Sequence, residues 1–416
     1  MTALPYEKHK LVPASINQGA RAAMIESYDV IIGGGAVMGS SIAYHLAAHP
    51  GFAGRILVIE RDMTYARAAS SLSLSSIRQQ FSSPINIRVG LYGVSFLRQA
   101  RDILAVDGEA PDVSFTENGY LYLASEAGAQ TLAANHGTQL TEGADILLLG
   151  ADALKARFPF LNPDGVAAAA WGRSGEGWFD GYTLMQAFRR KARSLGVAYR
   201  EGEIASIERE GARVVAVRLA SGERLACGAF VNAAGASGAA RLAGEMGVAI
   251  PVHSRKRCVF VFTAKERIAR CPLLIDTSGV YMRSEGESYV CGVSPPEAQD
   301  PDSDDFDVEW RQFDDIIWPA LAHRIPAFES LRPGRAWAGH YDLNIFDHNA
   351  IVGRLPGLDN AYLAAGFSGH GIQQSPAVGR GLAELIAQGR YETLDLSDFG
   401  YERIAAGRPL LERNVI

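Results

Sequence analysis

The chain has 416 residues, of which 48% are hydrophobic and 21% are charged, and its formal net charge is −6. This composition is typical of a globular protein with a sizeable core and excludes a disordered or fibrous chain. The negative net charge argues against nucleic acid as a partner, and no apolar run approaches the roughly 20 residues that a membrane-spanning helix needs.

The four cysteines, Cys227, Cys258, Cys271 and Cys291, show no C-x-x-C spacing. We therefore expect reduced thiols and a cytoplasmic protein, with neither a disulfide framework nor a metal site. The first residues lack the apolar stretch of a secretory signal. Residues 1–26 are accordingly predicted to be an N-terminal extension.

A strand–turn–helix–strand unit is the strongest pattern near the start of the chain. Residues 30–32 are a short apolar run, residues 33–39 a glycine-rich turn, residues 40–48 a helix and residues 55–59 a second strand that ends on Glu60. A helix N-terminus offers unpaired N–H groups to a pyrophosphate, and a carboxylate accepts hydrogen bonds from ribose hydroxyls. The unit therefore predicts a dinucleotide site.

The glycine turn departs from the G-x-G-x-x-G fingerprint at one position. Gly34 and Gly39 stand at the first and last glycine positions, whereas Ala36 stands at the middle one, where a methyl group crowds the phosphate slightly. A strand precedes the turn, a helix follows it, and Glu60 comes 21 residues after Gly39. This context favours a nucleotide site over a merely structural turn.

The middle of the chain alternates helical and extended patterns. Residues 64–83 form a serine- and alanine-rich loop that carries Arg78, and Ser83-Pro84 begins an amphipathic helix. Further predicted elements are a hairpin or strand pair over 115–124, helices over 151–158 and 179–195, strands over 198–200, 204–208, 214–219 and 224–226, a buried strand with a small-residue turn over 229–235, and strands over 259–263, 279–282 and 289–293. The acidic segment 298–307 is interpreted as a solvated loop, because it fails the calcium-loop pattern at Asp305 and Arg311.

A second strand–turn–helix lies late in the chain, over residues 362–388. Its turn, FSGHG, places another helix N-terminus at the end of a buried strand. The two units could hold NAD or FAD. The lack of a second glycine fingerprint for nicotinamide favours flavin, since a helix N-terminus stabilises an anionic reduced ring.

Six segments together resemble the flavoprotein family of D-amino-acid oxidase, glycine oxidase, monomeric sarcosine oxidase and dimethylglycine dehydrogenase. They are DVIIGGGAVMGSSIAYHLA, VIERD, DGYTLMQAFRRKARSLGV, FVNAAGAS, WAGHYD and AAGFSGHGIQQSPAVGRGLAELI. The pieces SIRQQFSSP, GWFDG, LLIDTSGVYMRSEG and GFSGHGIQQSPAVGR are similar to one branch. That branch contains iminodiacetate oxidase-like enzymes and the mitochondrial FAD-dependent oxidoreductase-domain protein needed for complex I assembly.

This resemblance implies an α/β fold in which a doubly wound, Rossmann-like FAD-binding domain is interleaved with a substrate domain built on a mixed β-sheet. The expected FAD-binding segments are 27–110, 160–250 and 336–416, and the expected substrate-domain segments are 111–159 and 251–335. FAD is expected to bind noncovalently, because Gly339 stands where some relatives carry the linking cysteine. The residues expected to contact FAD are Gly34, Gly35, Ala36, Val37, Met38, Gly39, Glu60, Arg61, Ser70, Ser71, Ile204, Ala234, Gly235, Gly369, His370, Gly371, Ile372 and Gln373.

The resemblance also implies a substrate site. Arg78 aligns with an arginine that grips the substrate carboxylate in sarcosine oxidases, and Tyr341 falls on a position that lines the substrate cavity. Gln373 replaces a carboxylate-binding lysine, so Arg257 or Arg283 is needed as a second cation; each is equally well explained by a structural ion pair. His340 is adjacent to Tyr341 and is expected to point to the opposite face.

The implied reaction is FAD-dependent oxidation of the C–N bond of a secondary amine or N-substituted amino acid such as sarcosine, dimethylglycine or iminodiacetate. A hydride passes to flavin N5, and the imine is then hydrolysed. Val290 stands where sarcosine oxidases have their oxygen-activating lysine, so the electron acceptor is either oxygen or an electron carrier. The alternatives are a flavoprotein assembly factor for a respiratory complex and a D-amino-acid or proline-type oxidase.

Overall fold

The computed structural model describes residues 26–413. Residues 1–25 of the predicted N-terminal extension lie outside this range. The strands are β1 (Ser27–Gly33), β2 (Ile56–Glu60), β3 (Ser76–Ile77), β4 (Tyr120–Ala124), β5 (Ile146–Leu149), β6 (Ala168–Gly172), β7 (Gly177–Trp178), β8 (Ala198–Glu201), β9 (Ile204–Glu210), β10 (Arg213–Leu219), β11 (Arg224–Asn232), β12 (Val252–Thr263), β13 (Leu273–Ile275), β14 (Tyr281–Glu285), β15 (Ser288–Gly292), β16 (Arg332–Asn344), β17 (Ile351–Arg354) and β18 (Ala361–Ala365). The α-helices are α1 (Val37–Ala47), α2 (Ala69–Leu72), α3 (Pro84–Ile103), α4 (Glu126–Thr141), α5 (Ala151–Arg157), α6 (Gly181–Ser194), α7 (Gly235–Glu245), α8 (Trp310–Gln312), α9 (Trp318–Arg324), α10 (Gly371–Gln388) and α11 (Glu402–Ala405). Short 3₁₀ turns cover Glu297–Gln299, Pro326–Phe328 and Ser397–Phe399, and a π-helix covers Phe313–Ile317.

The first sheet has the strand order β17-β18-β11-β1-β2-β8, and β10 and β9 extend it from β11. Strand β1 pairs in parallel with both β2 and β11, and β11 pairs in parallel with β18. The inner residues of β1, Ile31 and Ile32, are fully buried, as expected for a parallel strand covered on both faces. Strand β8 also pairs in parallel with β2, so the carboxyl ends of five parallel strands meet at one edge, where α/β sheets bind their ligands.

The second sheet has the strand order β16-β12-β15-β14-β13-β4-β6-β5 and mixes parallel with antiparallel pairs. Its strand β13 pairs in parallel with β4, and the other neighbours pair antiparallel. The predicted α/β class, with a doubly wound unit and a mixed sheet, is confirmed. Strand β6 and residues 336–344 of β16 lie in the second sheet, although the segments 160–250 and 336–416 were expected in the FAD-binding domain.

Two local predictions differ from the structure. Residues 115–124 do not form a hairpin: only β4 is a strand, Gly119 turns the chain at a φ of +83°, and Thr116 instead bridges to Trp178. Helix α4 was not predicted, because two of its buried residues, Asn135 and Gln139, are polar and hide the helical period. None of the helices within residues 26–413 is long and apolar enough to cross a bilayer.

Helices α1 and α10 pack closely, and glycine allows this contact. A Cβ on Gly379 would lie 2.2 Å from Ser41 Oγ and 2.8 Å from the Ser41 carbonyl carbon. The Ser41 hydroxyl also donates to the Ser375 carbonyl at 2.7 Å. Because both helices point their N-termini at the same edge of the first sheet, this contact sets the distance between the two tips.

We expect Gly379→Ala to lower the free energy of unfolding by about 2 kcal/mol, because the added methyl must displace backbone. Denaturant unfolding of the FAD-loaded protein measures the change. Gly244→Ala is the matched control: it lies in α7, where an added Cβ would meet no atom within 4 Å, and should stabilise the protein by up to about 1 kcal/mol. Equal stability of the two variants would contradict the proposed tight contact.

Candidate functional site

A cavity of about 1330 Å³ opens at the carboxyl ends of the parallel strands. Its volume exceeds the roughly 300–1,000 Å³ of a site for a drug-sized ligand, so it can take a dinucleotide. Twelve of the residues predicted to contact FAD line it: Gly34, Ala36, Val37, Met38, Glu60, Arg61, Ser70, Ala234, Gly235, Gly369, Gly371 and Ile372.

The glycine turn after β1 is held by hydrogen bonds to its own backbone. The Gly35 amide donates to Glu60 Oε2 at 2.7 Å, and the Ser40 hydroxyl donates to the Gly35 carbonyl at 2.7 Å. The Tyr199 hydroxyl donates to Ser40 Oγ at 3.1 Å and completes the chain. Glu60 thus ties the turn to β2 and also faces the cavity, where its remaining lone pairs suit ribose hydroxyls.

Two helix N-termini point into the large cavity. Helix α1 begins after Ala36 and α10 begins after His370, and within residues 26–413 neither N-cap side chain accepts a hydrogen bond from its helix. The Val37 amide makes only a long contact, 3.3 Å, to Ser70 Oγ. First-turn N–H groups of this kind bind anionic or electron-rich ligand atoms. The donor set fits FAD, whose pyrophosphate and flavin edge each need such donors.

The remaining predicted FAD residues lie elsewhere. Gly35 and Gly39 belong to the glycine-rich turn but do not line the large cavity, and Ser71 does not line it either. Ile204 packs in the core with its Cδ1 next to Gly33, and the preceding residue, Glu203, reaches the cavity instead. Side chains alternate along an extended segment, so a shift of one residue changes which one faces the ligand.

A smaller cavity of about 50 Å³ adjoins the large one and shares Tyr341, Tyr281 and Gly369 with it. Its polar walls come from the second sheet, from β3 and the loops beside it, and from the turn before α10 with the first turn of that helix. They are Ser73, Ser75, Ser76, Arg78, Tyr120, Tyr281, Tyr341, Ser368, His370 and Gln373. This brings together four of the predicted residues: Arg78, Tyr341, His370 and Gln373.

Arg78 is 1% exposed and its position is set by several contacts. Its backbone amide donates to Gln373 Oε1 at 2.9 Å, its Nη1 donates to the Gln80 carbonyl, and its Nη2 lies 3.0 Å from His370 Nε2. The guanidinium carbon also lies 4.1 Å from the centre of the Phe81 ring. Gln373 therefore orients the arginine through its backbone.

One histidine and three tyrosines of the small cavity are held neutral. Burial, together with the Arg78 charge, lowers the pKa of His370 to about 3, so its neutral ring accepts the Arg78 N–H. Burial raises the pKa of Tyr120 to about 12 and raises the pKa values of Tyr281 and Tyr341 as well. Three phenols thus remain protonated at neutral pH and can donate or accept a hydrogen bond.

Tyr341 and His340 follow each other on β16 and both reach the large cavity. The Tyr341 ring leaves no room at Gly369, where a Cβ would lie 2.5 Å from it and where φ is +92°. The His340 ring packs edge-on to Phe306, with 4.5 Å between centroids, and its Nε2 is buried with no hydrogen-bond partner among the described residues. That orphaned nitrogen suits a ligand atom.

The two candidate second cations both face protein carboxylates. Arg257 lines the large cavity, but its Nη1 and Nη2 donate to the two oxygens of Asp300 at 2.7 and 2.8 Å, and both residues are buried. Arg283 lines neither cavity; it donates to Glu285 and to the Leu74 carbonyl. The segment interpreted as a solvated loop, 298–307, thus supplies a buried counter-charge.

Several cavity residues were not predicted. Tyr120 and Tyr281 come from the second sheet, and Asp342 follows Tyr341. Asp342 Oδ2 accepts from the Gly366 amide at 2.8 Å, and burial raises its pKa to about 6. The alternating pattern of FTENGYLYLA predicts that Tyr120 lies on a buried face of an extended segment. The pattern does not indicate which cavity that face lines.

Comparison with known proteins covers nearly the whole chain. The model of the DAO family, FAD dependent oxidoreductase, matches residues 29–385. FAD-dependent oxidoreductase domain-containing protein 1 of Xenopus laevis is 43% identical over 425 residues, which cover 94% of this chain and 85% of that protein. The structure of L-proline dehydrogenase from P. horikoshii has a TM-score of 0.81 and 26% identity and covers 93% of this chain and 100% of its own. The structure of glycine oxidase from Geobacillus kaustophilus has a TM-score of 0.77 and 23% identity and covers 90% of this chain and 98% of its own.

Proposed function

The chain belongs to the DAO family of FAD-dependent oxidoreductases, and from this premise we propose that it oxidises the C–N bond of a small amino acid whose nitrogen is a secondary or tertiary amine. The observation that carries the proposal is Arg78, a buried cation in the wall of a small cavity that adjoins the cofactor cavity. When bound, FAD supplies the two-electron acceptor that amino-acid side chains lack.

The residues of the small cavity have distinct tasks in this proposal. The Arg78 guanidinium binds the substrate carboxylate, because its planar fork matches the two oxygens. Gln373 and His370 fix that fork in place. The phenols of Tyr281 and Tyr341 orient the amine, and the buried walls keep water away, which favours the neutral amine.

The charges of the site favour a substrate with one carboxylate. Arg257 is paired with Asp300, and Arg283 with Glu285. A second substrate carboxylate would therefore have to compete with a protein carboxylate for either cation. Sarcosine, dimethylglycine and proline fit this charge pattern better than iminodiacetate. L-Proline dehydrogenase, named in one solved structure with this fold, acts on a cyclic secondary amine of this kind.

An electron carrier is the acceptor that we propose. Four lysines fall within residues 26–413, and none of them lines either cavity. Lys155 and Lys191 bind backbone carbonyls, Lys256 pairs with Asp305 and Glu309, and Lys265 is exposed. Val290, at the position of the oxygen-activating lysine, is 3% exposed within β15. No described ammonium group is therefore available to assist oxygen.

The second candidate function is assembly of a respiratory complex with little turnover. It is motivated by the 43% identity to FAD-dependent oxidoreductase domain-containing protein 1. One surface feature favours it: Trp310, Ile316 and Trp318 are 43%, 43% and 36% exposed on one helical segment. Exposed aromatic residues of this kind are enriched in protein interfaces.

An anaerobic titration of the FAD-loaded protein separates the candidates. We expect sarcosine, dimethylglycine or L-proline to bleach the visible flavin band, with iminodiacetate and D-alanine much less effective. N-Methylethanolamine is the matched control, because it keeps the secondary amine and lacks the carboxylate. A flavin that stays oxidised with every amine would contradict the proposal and favour the assembly factor. Slow reoxidation in air would support a carrier as acceptor.

A further inference from the structure

Glu176 is a fully buried carboxylate in the turn between β6 and β7. Its Oε1 accepts from the backbone amides of Gln79 at 2.6 Å and Gln80 at 3.1 Å, and its Oε2 accepts from Gln80 Nε2 at 2.7 Å. Three donors from two consecutive residues therefore converge on one side chain. When the carboxyl group is ionised, these hydrogen bonds are charge-assisted and about twice as strong as neutral ones.

These contacts lead directly to Arg78. The Gln80 carbonyl accepts a hydrogen bond from Arg78 Nη1. Gln80 therefore connects the two residues: its amide and side chain donate to Glu176, and its carbonyl binds the guanidinium. On the other side, Gln373 fixes the Arg78 amide. The loop that presents Arg78 to the small cavity is thus held from both sides, with the buried Glu176 carboxyl group on one side and Gln373 on the other.

The surrounding sequence makes room for this carboxylate. A Cβ on Gly172 would lie 1.8 Å from Glu176 Oε2, so glycine is required in β6 opposite the acid. The charged and titratable groups that act on Glu176 from the packed elements are Arg78, Tyr120 and Tyr122. Burial raises the pKa of Glu176 to about 7, against the lowering effects of the Gln80 and Gln79 bonds and the Arg78 charge.

We propose that Glu176 is a positioning residue that sets the carboxylate affinity of Arg78 by fixing the Gln79–Gln80 backbone. The proposal rests on the proposed function, because it assumes that Arg78 binds the substrate carboxylate. Glu176 lines neither cavity and acts only through Gln80 and the Arg78 loop.

The test uses the FAD-loaded protein and two probes of one shape: 2-furoate, which carries a carboxylate, and 2-furamide, which does not. Binding is followed by the perturbation of the visible flavin spectrum. Glu176→Gln should weaken 2-furoate binding about tenfold, because one of the two acceptor oxygens that hold Gln79 and Gln80 is lost, and should leave 2-furamide binding unchanged. A purely structural defect would weaken both probes alike.

Glu117→Gln is the matched control. Glu117 Oε2 accepts from the Gly175 amide at 2.9 Å in the same turn and pairs with Arg98. The Glu117–Arg98 ion pair is partly exposed. Its loss should therefore change the affinity for 2-furoate or for 2-furamide less than about twofold. Gly172→Ala is the second variant, because it displaces the Glu176 carboxylate while keeping its charge; it should also weaken 2-furoate selectively, and it decides the test if Glu176→Gln fails to retain FAD.

The two failures are distinguishable. If Arg78→Lys loses 2-furoate selectively while Glu176→Gln and Gly172→Ala keep the wild-type ratio of the two affinities, the role of Glu176 is overturned and the proposed function stands. If Arg78→Lys also keeps the wild-type ratio, the proposed function fails. A selective loss of 2-furoate in all three variants supports both.

Discussion

Gly39→Ala should leave the purified protein without FAD. A Cβ on Gly39 would lie 1.8 Å from the Gly34 carbonyl oxygen and 3.3 Å from Ile32 Cγ2. Gly34 has a φ of +100°, and a Cβ added to it would lie 2.3 Å from the Ala233 carbonyl oxygen. The turn is therefore packed against the Ala233 backbone and cannot move aside. The start of α1 must therefore shift away from β1, and its N–H groups leave the phosphate position.

The expected loss is on the order of 100-fold or more in FAD affinity, because overpacking against backbone costs about 3 kcal/mol. The ratio of visible flavin absorbance to protein absorbance after gel filtration measures it. Ala36→Gly is the matched control, since it restores the usual glycine at the middle position and should bind FAD at least as tightly as the wild type. A yellow Gly39→Ala protein with full FAD content would refute this account of the turn.

The predicted cofactor residues that line one cavity belong to segments built by neighbouring residues. The turn over Gly34 to Gly39, Glu60 and the turn before α10 each depend on a strand end and a helix start that are adjacent in the chain. The phosphate-binding geometry follows from those few residues. For this reason twelve of the predicted FAD residues line one cavity, even though Ala36 breaks the fingerprint.

The parts that could not be predicted depend on distant partners. Strand β4 pairs with β13 across about 150 residues, and nothing within FTENGYLYLA specifies that partner. Arg257 and Asp300 are likewise 43 residues apart, and arginine and aspartate are common on any surface. Local sequence therefore left Arg257 open between substrate binding and an ion pair. Only the folded chain places the Asp300 carboxylate on it.

The second large effect is expected at Arg78. Arg78→Lys should lower the second-order rate constant for flavin reduction by the amino acid by about 100-fold. A lysine ammonium cannot make the two parallel hydrogen bonds of the guanidinium fork, and a hydrogen bond to a charged group contributes about 1.5–3 kcal/mol. Lysine is the better replacement for the test, since its positive charge still faces the nearby Glu176 and Glu412 carboxylates. Alanine would remove that charge from the interior and add a folding defect.

Anaerobic stopped-flow reduction with sarcosine or L-proline measures the effect, with FAD content as the check on folding. Arg88→Lys is the matched control: its side chain is 50% exposed and pairs with Glu142 on the surface of α3, so its rate should stay within about twofold of the wild type. A substrate analogue without a carboxylate should reduce the flavin equally slowly in the wild type and in Arg78→Lys, because neither protein can bind a group that is absent. If Arg78→Lys instead reduces the flavin at the wild-type rate, the carboxylate is bound elsewhere, and Arg257 would have to exchange Asp300 for the substrate.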